Sequence, residues 1–299
     1  MNKIYLSGIY QAKHENLIKK AQVDSLNKEE LINYLKNINY GNGTNYQLLS
    51  NILDYELKNV REELNSLSNS NLIGDIFFLK EDLINIKIVY KSIYYNTEIE
   101  DYSIVSRFDV NGLEEFFKRG NDSFINTDDL DVFLKLKDVT GDSLKERLEK
   151  IEKIYFTYIY NLTKNNLNEF LPYINAVNFN NNLLTFLKLR NRNDNKEYLK
   201  DLLLKQNVFD NSFFVDLFDK TNEQITEALN TVYFGNLKEG LEHFFITKNT
   251  NILENELTNA LTDMSQNISY NLNTLGPVLY YLHLKRNEVN DIRWLYYEN

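Results

Sequence analysis

The segment FFLKEDLINIKIVYK, residues 77–91, has the spacing of an amphipathic helix with one carboxylate on its apolar side. At 100° per residue its apolar side chains fall on one continuous arc, and Asp82 lies near the middle of that arc. A carboxylate in such a position is costly unless other groups bond to it. We therefore expect Asp82 to be a structural carboxylate at a helix-packing junction, where it accepts from a helix N-terminus or a basic side chain.

The same pattern occurs in two further segments of the chain. LHLKRNEVNDIRWLYY, residues 282–297, places an acidic residue on a matching apolar arc. A weaker copy lies in LLTFLKLRNRNDNKEYLKDLL, residues 183–203. Each copy has Asp, Asn or Glu on a helix, then Asn or Asp three residues later, then Lys or Arg after two more. The residues that fill the pattern are Asp82, Asn85 and Lys87, then Asn191, Asp194 and Lys196, then Glu288, Asp291 and Arg293.

The middle copy guides the interpretation of the acidic residues. Carboxylates on apolar faces are candidates for acids with a raised pKa or for ion ligands. Asn191 keeps the hydrogen-bond acceptor of the pattern but not its charge. We therefore favour a shared structural role over a shared ionisable one.

A second repeat supports internal triplication. EELINYLKNINYGN, residues 29–42, matches EQITEALNTVYFGN, residues 223–236, with a constant offset of 194. In both copies an apolar-periodic helix runs into an aromatic residue and a glycine. Gly41 and Gly235 are predicted to be left-handed helix stops, which favour a residue without Cβ.

Helical periodicity dominates the chain, and no segment alternates as a strand would. We predict an all-α fold of three similar subdomains, residues 1–105, 106–206 and 207–299. The predicted helices are 4–22, 27–39, 45–68, 75–97, 110–120, 143–162, 165–176, 180–206, 211–219, 222–233, 236–246, 252–266 and 277–297.

Composition excludes several classes of function. The 299 residues contain no cysteine, which excludes disulfides, thiolate zinc sites and cysteine nucleophiles. The net charge of −10 argues against nucleic-acid binding. We find no secretion signal at the N-terminus and no apolar run near the ~20 residues that a membrane span needs.

No catalytic, cofactor or metal site emerges from the sequence. The three histidines, His14, His243 and His283, are far apart and are expected at surfaces or interfaces. NTDDLDVF, residues 126–133, is similar to the aspartate-rich magnesium motif of helical terpene cyclases, but its spacing differs. Acids at a helix N-terminus are the simpler interpretation of this cluster.

The combination of these segments resembles the C-type subunit of the rotary V/A-type ATPases, which is the d-type subunit of the eukaryotic complex. Residues 77–91 resemble a characteristic segment of that family, in which Asp82, Asn85 and Lys87 occupy the matching positions. In the last helix, Glu288 and Arg293 match the family's C-terminal signature. The turn at Tyr40 and Gly41 is also similar, and the likeness runs from about residue 5 to residue 297. Arg286 and Asp291 depart from the expected Glu and Asn.

The resemblance implies three helical units arranged as a funnel with pseudo-threefold symmetry. Its socket would receive the central rotor shaft of the catalytic head, and its underside would rest on the membrane proteolipid ring. The protein would then be a non-catalytic adaptor for proton or sodium-ion transport, held at the cytoplasmic face of a membrane through the complex. An acidic socket lining is a further hypothesis from the net charge.

Two alternatives share some of these features. A helical-repeat scaffold of another multiprotein complex has the same repetition. An all-helical enzyme is the more distant alternative, and it would use the acidic residues 128–131 to bind a divalent metal.

Overall fold

The fold was analysed in a computed structural model that describes residues 2–42, 48–206, 210, 212–233 and 235–298. Within these residues every regular element is a helix, which confirms the all-α class. The α-helices are α1 Lys3–His14, α2 Lys28–Asn37, α3 Leu49–Ser68, α4 Leu72–Phe77, α5 Leu79–Tyr95, α6 Val110–Arg119, α7 Leu130–Lys137, α8 Leu144–Asn166, α9 Leu171–Asn191, α10 Lys196–Leu202, α11 Ser212–Leu217, α12 Asn222–Val232, α13 Lys238–Thr247, α14 Asn251–Ser269 and α15 Gly276–Glu298.

The chain divides into two compact units. Unit 1 comprises Met1–Leu144 and Ile268–Asn299, so it joins the first half of the chain to the C-terminal helix. Unit 2 comprises Lys145–Asn267. The boundaries predicted after residues 105 and 206 stay a prediction.

The first unit is built around three long helices, α3, α5 and α15. The apolar face of α3 is buried along its length and packs against α4 and α15, while α1 packs along α15. Asn69 and Asn96 are left-handed residues that follow the last residues of α3 and α5. These ends are sharp because Asn tolerates the left-handed region better than most residues.

The second unit has its apolar core around α9. Phe186 and Leu183 of α9 are fully buried there with Phe214 of α11. α12 and α13 add a buried residue each turn, among them Leu229 and Leu241. Burying side chains of this size contributes about 1.5–3 kcal/mol each, so this core stabilises the unit strongly.

The observed helices differ from the predicted ones in several places. The helix predicted over 4–22 ends at His14, and the one predicted over 180–206 is interrupted between Asn191 and Lys196. Residues 75–97 form two helices, because Phe78 leaves helical geometry between α4 and α5. The predicted break between 176 and 180 is wrong, since α9 continues through it and ends at Asn191. Helix α7 was not predicted. The predicted start at residue 45 lies outside the described residues.

Candidate functional site

Asp82 is fully buried on α5 and accepts four hydrogen bonds. Its two oxygens accept from the Arg61 guanidinium of α3 at 2.8 and 2.7 Å. Oδ1 also accepts from the Arg107 backbone N–H at 2.9 Å and from the Ser106 hydroxyl at 3.0 Å. The carboxylate thus joins two helices to the segment that follows α5.

Two further carboxylates complete a group that we call the Asp82 cluster: Arg61, Asp75, Asp82, Arg107 and Asp129. Arg61 Nη2 lies 2.9 Å from Asp75 Oδ1, and Arg107 donates to both oxygens of Asp129 at 2.7 Å. Burial raises the pKa of Asp75 to about 6, although the neighbouring guanidinium groups of Arg107 and Arg61 lower it. Because three acids face two cations here, a proton on Asp75 at mildly acidic pH removes the excess negative charge.

Asn85, one turn beyond Asp82, holds the same segment by its amide. Its Nδ2 donates to the carbonyls of Ser103 at 2.9 Å and Phe108 at 3.0 Å. Its Oδ1 accepts from the Ser103 N–H at 2.7 Å. The structure therefore brings Asp82 and Asn85 to one junction, while Lys87 lies partly exposed on the same helix.

Glu288 is the acceptor of a second buried group, on α15. Its carboxylate accepts from the Tyr40 hydroxyl, from the Lys285 ammonium at 2.8 Å and from the Ile18 backbone N–H at 2.6 Å. These donors come from three separate stretches of unit 1. Glu288 therefore fixes the C-terminal helix to the N-terminal part of the chain.

Glu56 of α3 extends this group, which we call the Glu288 cluster: Tyr40, Glu56, Lys285 and Glu288. Glu56 accepts from Lys285 at 2.9 Å and from the Gly41 N–H at 2.8 Å. Burial lowers the pKa of Lys285, but the carboxylates of Glu56 and Glu288 outweigh it and raise the pKa above its ordinary value. Burial and the same carboxylates raise the pKa of Tyr40, so the phenol stays a donor.

The remaining residues of the C-terminal copy lie nearer the surface. Asp291 is exposed on α15. Arg293 lies 3.2 Å from Asp54 of α3, with both side chains about two-fifths exposed. Since exposed ion pairs contribute only about 0–1 kcal/mol, this contact stabilises the helix pair little.

The prediction that the middle copy lies on one helix is wrong. Asn191 is the last residue of α9, Asp194 lies in the connection, and Lys196 begins α10. The chain leaves the helix here because Asn193 adopts a left-handed conformation (φ 56°) and Asn195 caps α10. Asp194 accepts from Arg192 at 2.7 Å, and Lys196 pairs with Asp219.

Asn182 makes in unit 2 the contacts that Asn85 makes in unit 1. Its Nδ2 donates to the Leu204 carbonyl at 3.0 Å, and its Oδ1 accepts from the Leu204 N–H at 2.7 Å. Asn178 donates to the next carbonyl, that of Lys205, at 2.7 Å. By contacts, the counterpart of Asn85 is thus Asn182, nine residues before Asn191.

The two predicted glycine stops have different outcomes. Gly41 is left-handed (φ 67°), but α2 has already ended, and Asn39 (φ 56°) follows its C-cap. Gly235 has no positive φ, so its prediction is wrong: α12 ends because Tyr233 is extended. A Cβ at Gly235 would lie 2.9 Å from the Ala260 Cβ, which makes close packing the reason for glycine there. Phe234 lies outside the described residues.

His283 is a core residue, in contrast to the surface or interface position expected for it. Its ring contacts the Phe77 ring edge-on, with centroids 5.1 Å apart. Burial and the nearby Arg286 guanidinium lower the pKa of His283 to about 3. The imidazole is therefore neutral at physiological pH.

The cations of both clusters were missed from the sequence, although a signal exists for them. Arg61 and Lys285 lie on buried helix faces among apolar residues, as Asp82 and Glu288 do. A basic residue on an apolar arc is a natural partner for an acid on the same arc or on another. The positions of Arg61 and Lys285 therefore mark them as candidate partners, although the fold decides which acid each one meets.

The arrangement of these acids favours structural over metal chemistry. Asp129, the buried acid of the 128–131 segment, is bound by Arg107. No group of three or more metal-ligating side chains occurs in the part of the chain that the structure describes. The two clusters act chemically as fixed ion pairs that join helices.

Two comparisons with known proteins bear on this chain. A family model described as ATP synthase (C/AC39) subunit matches residues 6–297. No curated protein matches the chain.

Proposed function

The chain belongs to the ATP synthase (C/AC39) subunit family, and we propose from this membership that it is a non-catalytic adaptor in the central stalk of a V/A-type rotary ATPase. It binds the central rotor shaft of the catalytic head on one side and the membrane proteolipid ring on the other. Rotation driven by ATP hydrolysis passes through it to the ring, which carries protons or sodium ions. The protein itself needs no cofactor for this role.

The observation that carries the proposal is the extent of the family match. It covers residues 6–297 and so includes both buried clusters and all the described helices except the first residues of α1 and the last of α15. A match to one helix pair alone would be compatible with any helical scaffold. A match across the chain supports the role of the whole subunit.

The packing of unit 1 supports a mechanical role. An adaptor that transmits torque has to resist deformation, and densely packed helices do so. Each buried cluster adds directional bonds between helices, and separating them leaves charges without partners at a cost of several kcal/mol. The two clusters therefore favour a stiff body over a deformable one.

Attachment to the membrane is assigned to the complex. Among the described helices, none combines the length and the apolar character that crossing a bilayer requires. We place the subunit peripherally, at the cytoplasmic face, through its contact with the proteolipid ring. Nucleic acid is not among its partners in this proposal.

Matching local contacts support the proposed triplication. Helices α2 and α12 both begin with a capping box, formed by Asn27 and Glu30 and, 194 residues later, by Thr221 and Gln224. Their inward residues are buried at the same offset. Asn85 and Asn182 each bond by the side-chain amide to the backbone of a connecting segment, and we call these contacts asparagine clamps. Together these contacts favour similar units. The proposed boundaries remain 1–105, 106–206 and 207–299.

Affinity purification from cells that carry the complex tests the proposal. A tag on this chain is expected to recover both the shaft subunits and the proteolipid ring in detergent. Recovery of a different set of partners, without either of these, would favour the alternative of a scaffold for another complex. A purified chain that turns over ATP by itself would contradict the non-catalytic role.

A further inference from the structure

One end of unit 1 carries four exposed hydrophobic side chains, which we call the apolar tip: Ile4, Tyr5, Tyr270 and Leu272. They are 61%, 59%, 76% and 51% exposed, respectively. Ile4 and Tyr5 lie in the first turn of α1, whereas Tyr270 and Leu272 lie in the connection between α14 and α15. The apolar tip shares no residue with the Asp82 or Glu288 cluster.

Two hydrogen bonds bring these residues to the same end of the unit. The Ser7 hydroxyl of α1 donates to the Thr274 carbonyl, just before α15 begins. Beyond the end of α1, the Ile18 N–H donates to Glu288, halfway along α15. The two helices therefore run side by side in the same direction, and the first turn of α1 lies next to the connection 270–275.

Helix α1 is apolar on its exposed face as well as on its buried one. Leu6 and Tyr10 are buried against unit 1. The exposed face carries Ile4, Gly8 and Ala12 at intervals of four residues. A helix that is hydrophobic all round is normally covered on all sides. We therefore expect the exposed face of α1 to be covered when the protein is at work.

Both segments of the apolar tip are poor in charge. Residues 264–284 contain no Asp, Glu, Lys or Arg, although a quarter of the whole chain is charged. Among residues 1–12 only Lys3 is charged. Neither segment contains an acid, which an anionic lipid surface would repel and which would be costly to dehydrate.

Other exposed hydrophobic side chains have acids near them in the sequence. Ile246 lies one helical turn from Glu242 on α13, and Phe124 lies two residues from Asp122. Hydrophobic residues that are exposed singly are normal on a protein surface and need no partner. The apolar tip differs from them because it combines four such side chains with two segments that lack acids.

The apolar tip suits a lipid interface better than a protein partner. All four side chains are more than half exposed, so they project from the surface instead of lining a groove. A protein partner would need a shaped cavity to receive them, whereas lipid conforms to a projecting group. Tyrosine is favoured at the membrane–water interface because its ring is apolar and its hydroxyl is polar. Lys3 adds a positive charge for anionic headgroups.

We propose that the apolar tip inserts shallowly into the interface of a membrane that contains anionic lipid. This contact would add to the attachment through the complex. It does not depend on the partners assigned in the proposed function, because it needs only this chain and a lipid surface.

Quenching by lipid tests the inference on the purified chain. Because the chain contains no cysteine, Leu272→Cys provides a single site for an environment-sensitive fluorophore. Leu134→Cys is the matched control, since Leu134 is a leucine of unit 1 with 46% exposure. Vesicles of phosphatidylcholine and phosphatidylglycerol with spin-labelled acyl chains are expected to quench the fluorophore at position 272 and not at position 134. Equal quenching at both positions, or none at 272, would overturn the inference.

Removing the side chains gives an independent measurement of vesicle binding. The test variant combines Tyr5→Ser, Tyr270→Ser and Leu272→Ser. The control variant replaces the same residue types at other exposed positions of unit 1, Tyr95→Ser, Tyr102→Ser and Leu134→Ser. The test variant is expected to bind vesicles of the same composition about 10-fold more weakly than the unmodified chain, and the control variant is expected to bind as the unmodified chain does. Equal affinities of the two variants would contradict the inference.

The lipid contact and the proposed function fail separately. No quenching at position 272 in a chain that still recovers shaft and ring would remove the lipid contact and leave the proposed function standing. Quenching at 272 in a chain that recovers neither would do the reverse. Loss of a protein partner from the test variant, with vesicle binding unchanged, would assign the apolar tip to that partner and overturn the inference.

Discussion

At the scale of single residues, acids placed on apolar helix faces are balanced by buried cations, from another helix at Asp82 and from the same helix at Glu288. Asp82 is matched by Arg61, and Glu288 by Lys285. Each acid also accepts from a backbone N–H outside its own helix. Such groups are costly to bury and more costly to separate, so they fix which helices can be neighbours.

Asp82→Ala is expected to lower the free energy of unfolding of unit 1 by about 3–5 kcal/mol. A single unsatisfied hydrogen-bonding group would cost less, about 1–3 kcal/mol. The larger figure follows because Arg61 would stay buried with one carboxylate fewer. Urea denaturation followed by the fluorescence of Trp294, the single tryptophan and a residue of unit 1, measures this change.

Asp128→Ala is the matched control for that measurement. Asp128 is an exposed aspartate of the same unit, so its removal is expected to change stability by less than about 0.5 kcal/mol. Equal losses in the free energy of unfolding for the two substitutions would show that the buried contacts of Asp82 do not stabilise unit 1.

His283 is expected to make unit 1 less stable as the pH falls. Its folded pKa of about 3 lies below the ordinary value of 6.5, so below about pH 6.5 the unfolded chain binds the proton more readily. Stability from this group is therefore full above pH 6.5 and declines towards pH 3, by at most about 1.4 kcal/mol per pH unit. Trp294 fluorescence in urea at several pH values measures the slope.

Asp75 contributes to the same curve in the opposite sense. Its pKa is raised from 3.8 to about 6, so stability from this group falls as the pH rises from about 4 to 6.

Comparing His283→Gln with the unmodified chain isolates the histidine, and the variant is expected to show a weaker loss of stability on acidification. His243→Gln, in unit 2, should leave the slope unchanged. An unchanged slope in His283→Gln would contradict a buried neutral imidazole.

At the scale of elements, glycine–glutamate pairs and asparagine clamps set how helices and connections meet. The N–H of Gly41 donates to Glu56 on α3, and the N–H of Gly240 donates to Glu256 on α14. In both cases an added Cβ would collide with the following helix, 2.2 Å from the Ile52 carbonyl oxygen and 2.6 Å from the Leu253 Cα. The close approach of backbone to helix explains the glycine in both places.

Gly41→Ala is expected to destabilise unit 1 by more than about 2 kcal/mol. The left-handed backbone alone costs a residue with a Cβ about 1–2 kcal/mol, and the collision with Ile52 adds to it. Thermal or urea unfolding of unit 1 measures the change. Gly8→Ala is the control: nothing lies within 4 Å of that Cβ, and alanine in helix α1 should stabilise by about 0.5–1 kcal/mol. Loss of stability in both variants alike would contradict the packing argument.

The asparagine clamps are expected to act independently in the two units. Asn85→Ala should speed hydrogen exchange of the Ser103 amide, and Asn182→Ala that of the Leu204 amide, because each loses its one side-chain acceptor. Asn181→Ala is the control, since that side chain donates only to Val177 within its own helix. Exchange that rises at both amides in either single variant would show a global loss of structure instead of local opening.

Most helices could be predicted from the sequence, α7 being an exception, but the register of the middle copy could not. The hydrophobic periodicity predicts the ends of α2, α6, α12 and α15 to within a few residues, because the apolar faces of these helices are continuous. The helix break predicted at residues 177–179 is absent, because α9 runs through this asparagine-rich segment. In the structure Asn178, Asn180 and Asn182 are buried, and their amides bond to groups from other parts of unit 2.

The candidate site was predictable only in part for the same reason. Asp82 and Glu288 stood out because a charge on an apolar arc is visible in one segment. Several of their partners come from positions that only the fold brings close, such as the backbone N–H groups of Arg107 and Ile18. A local pattern shows which residues need a partner and does not show which residues supply it.

At the scale of the whole molecule, the family match and the bonded helix contacts lead to one account. The chain belongs to the ATP synthase (C/AC39) subunit family, and the proposed role is a passive coupling between shaft and ring. The acids that stood out in the sequence are bound to cations inside unit 1 and so support the helices.

Coupling in reconstituted vesicles tests this role most directly. Complexes with and without this chain are compared for ATP hydrolysis and for ATP-driven ion uptake on the same preparation. We expect the preparation without the chain to hydrolyse ATP at its catalytic head but to move no ions, and we expect the purified chain to restore uptake. Ion uptake that continues at the full rate in its absence would contradict the account.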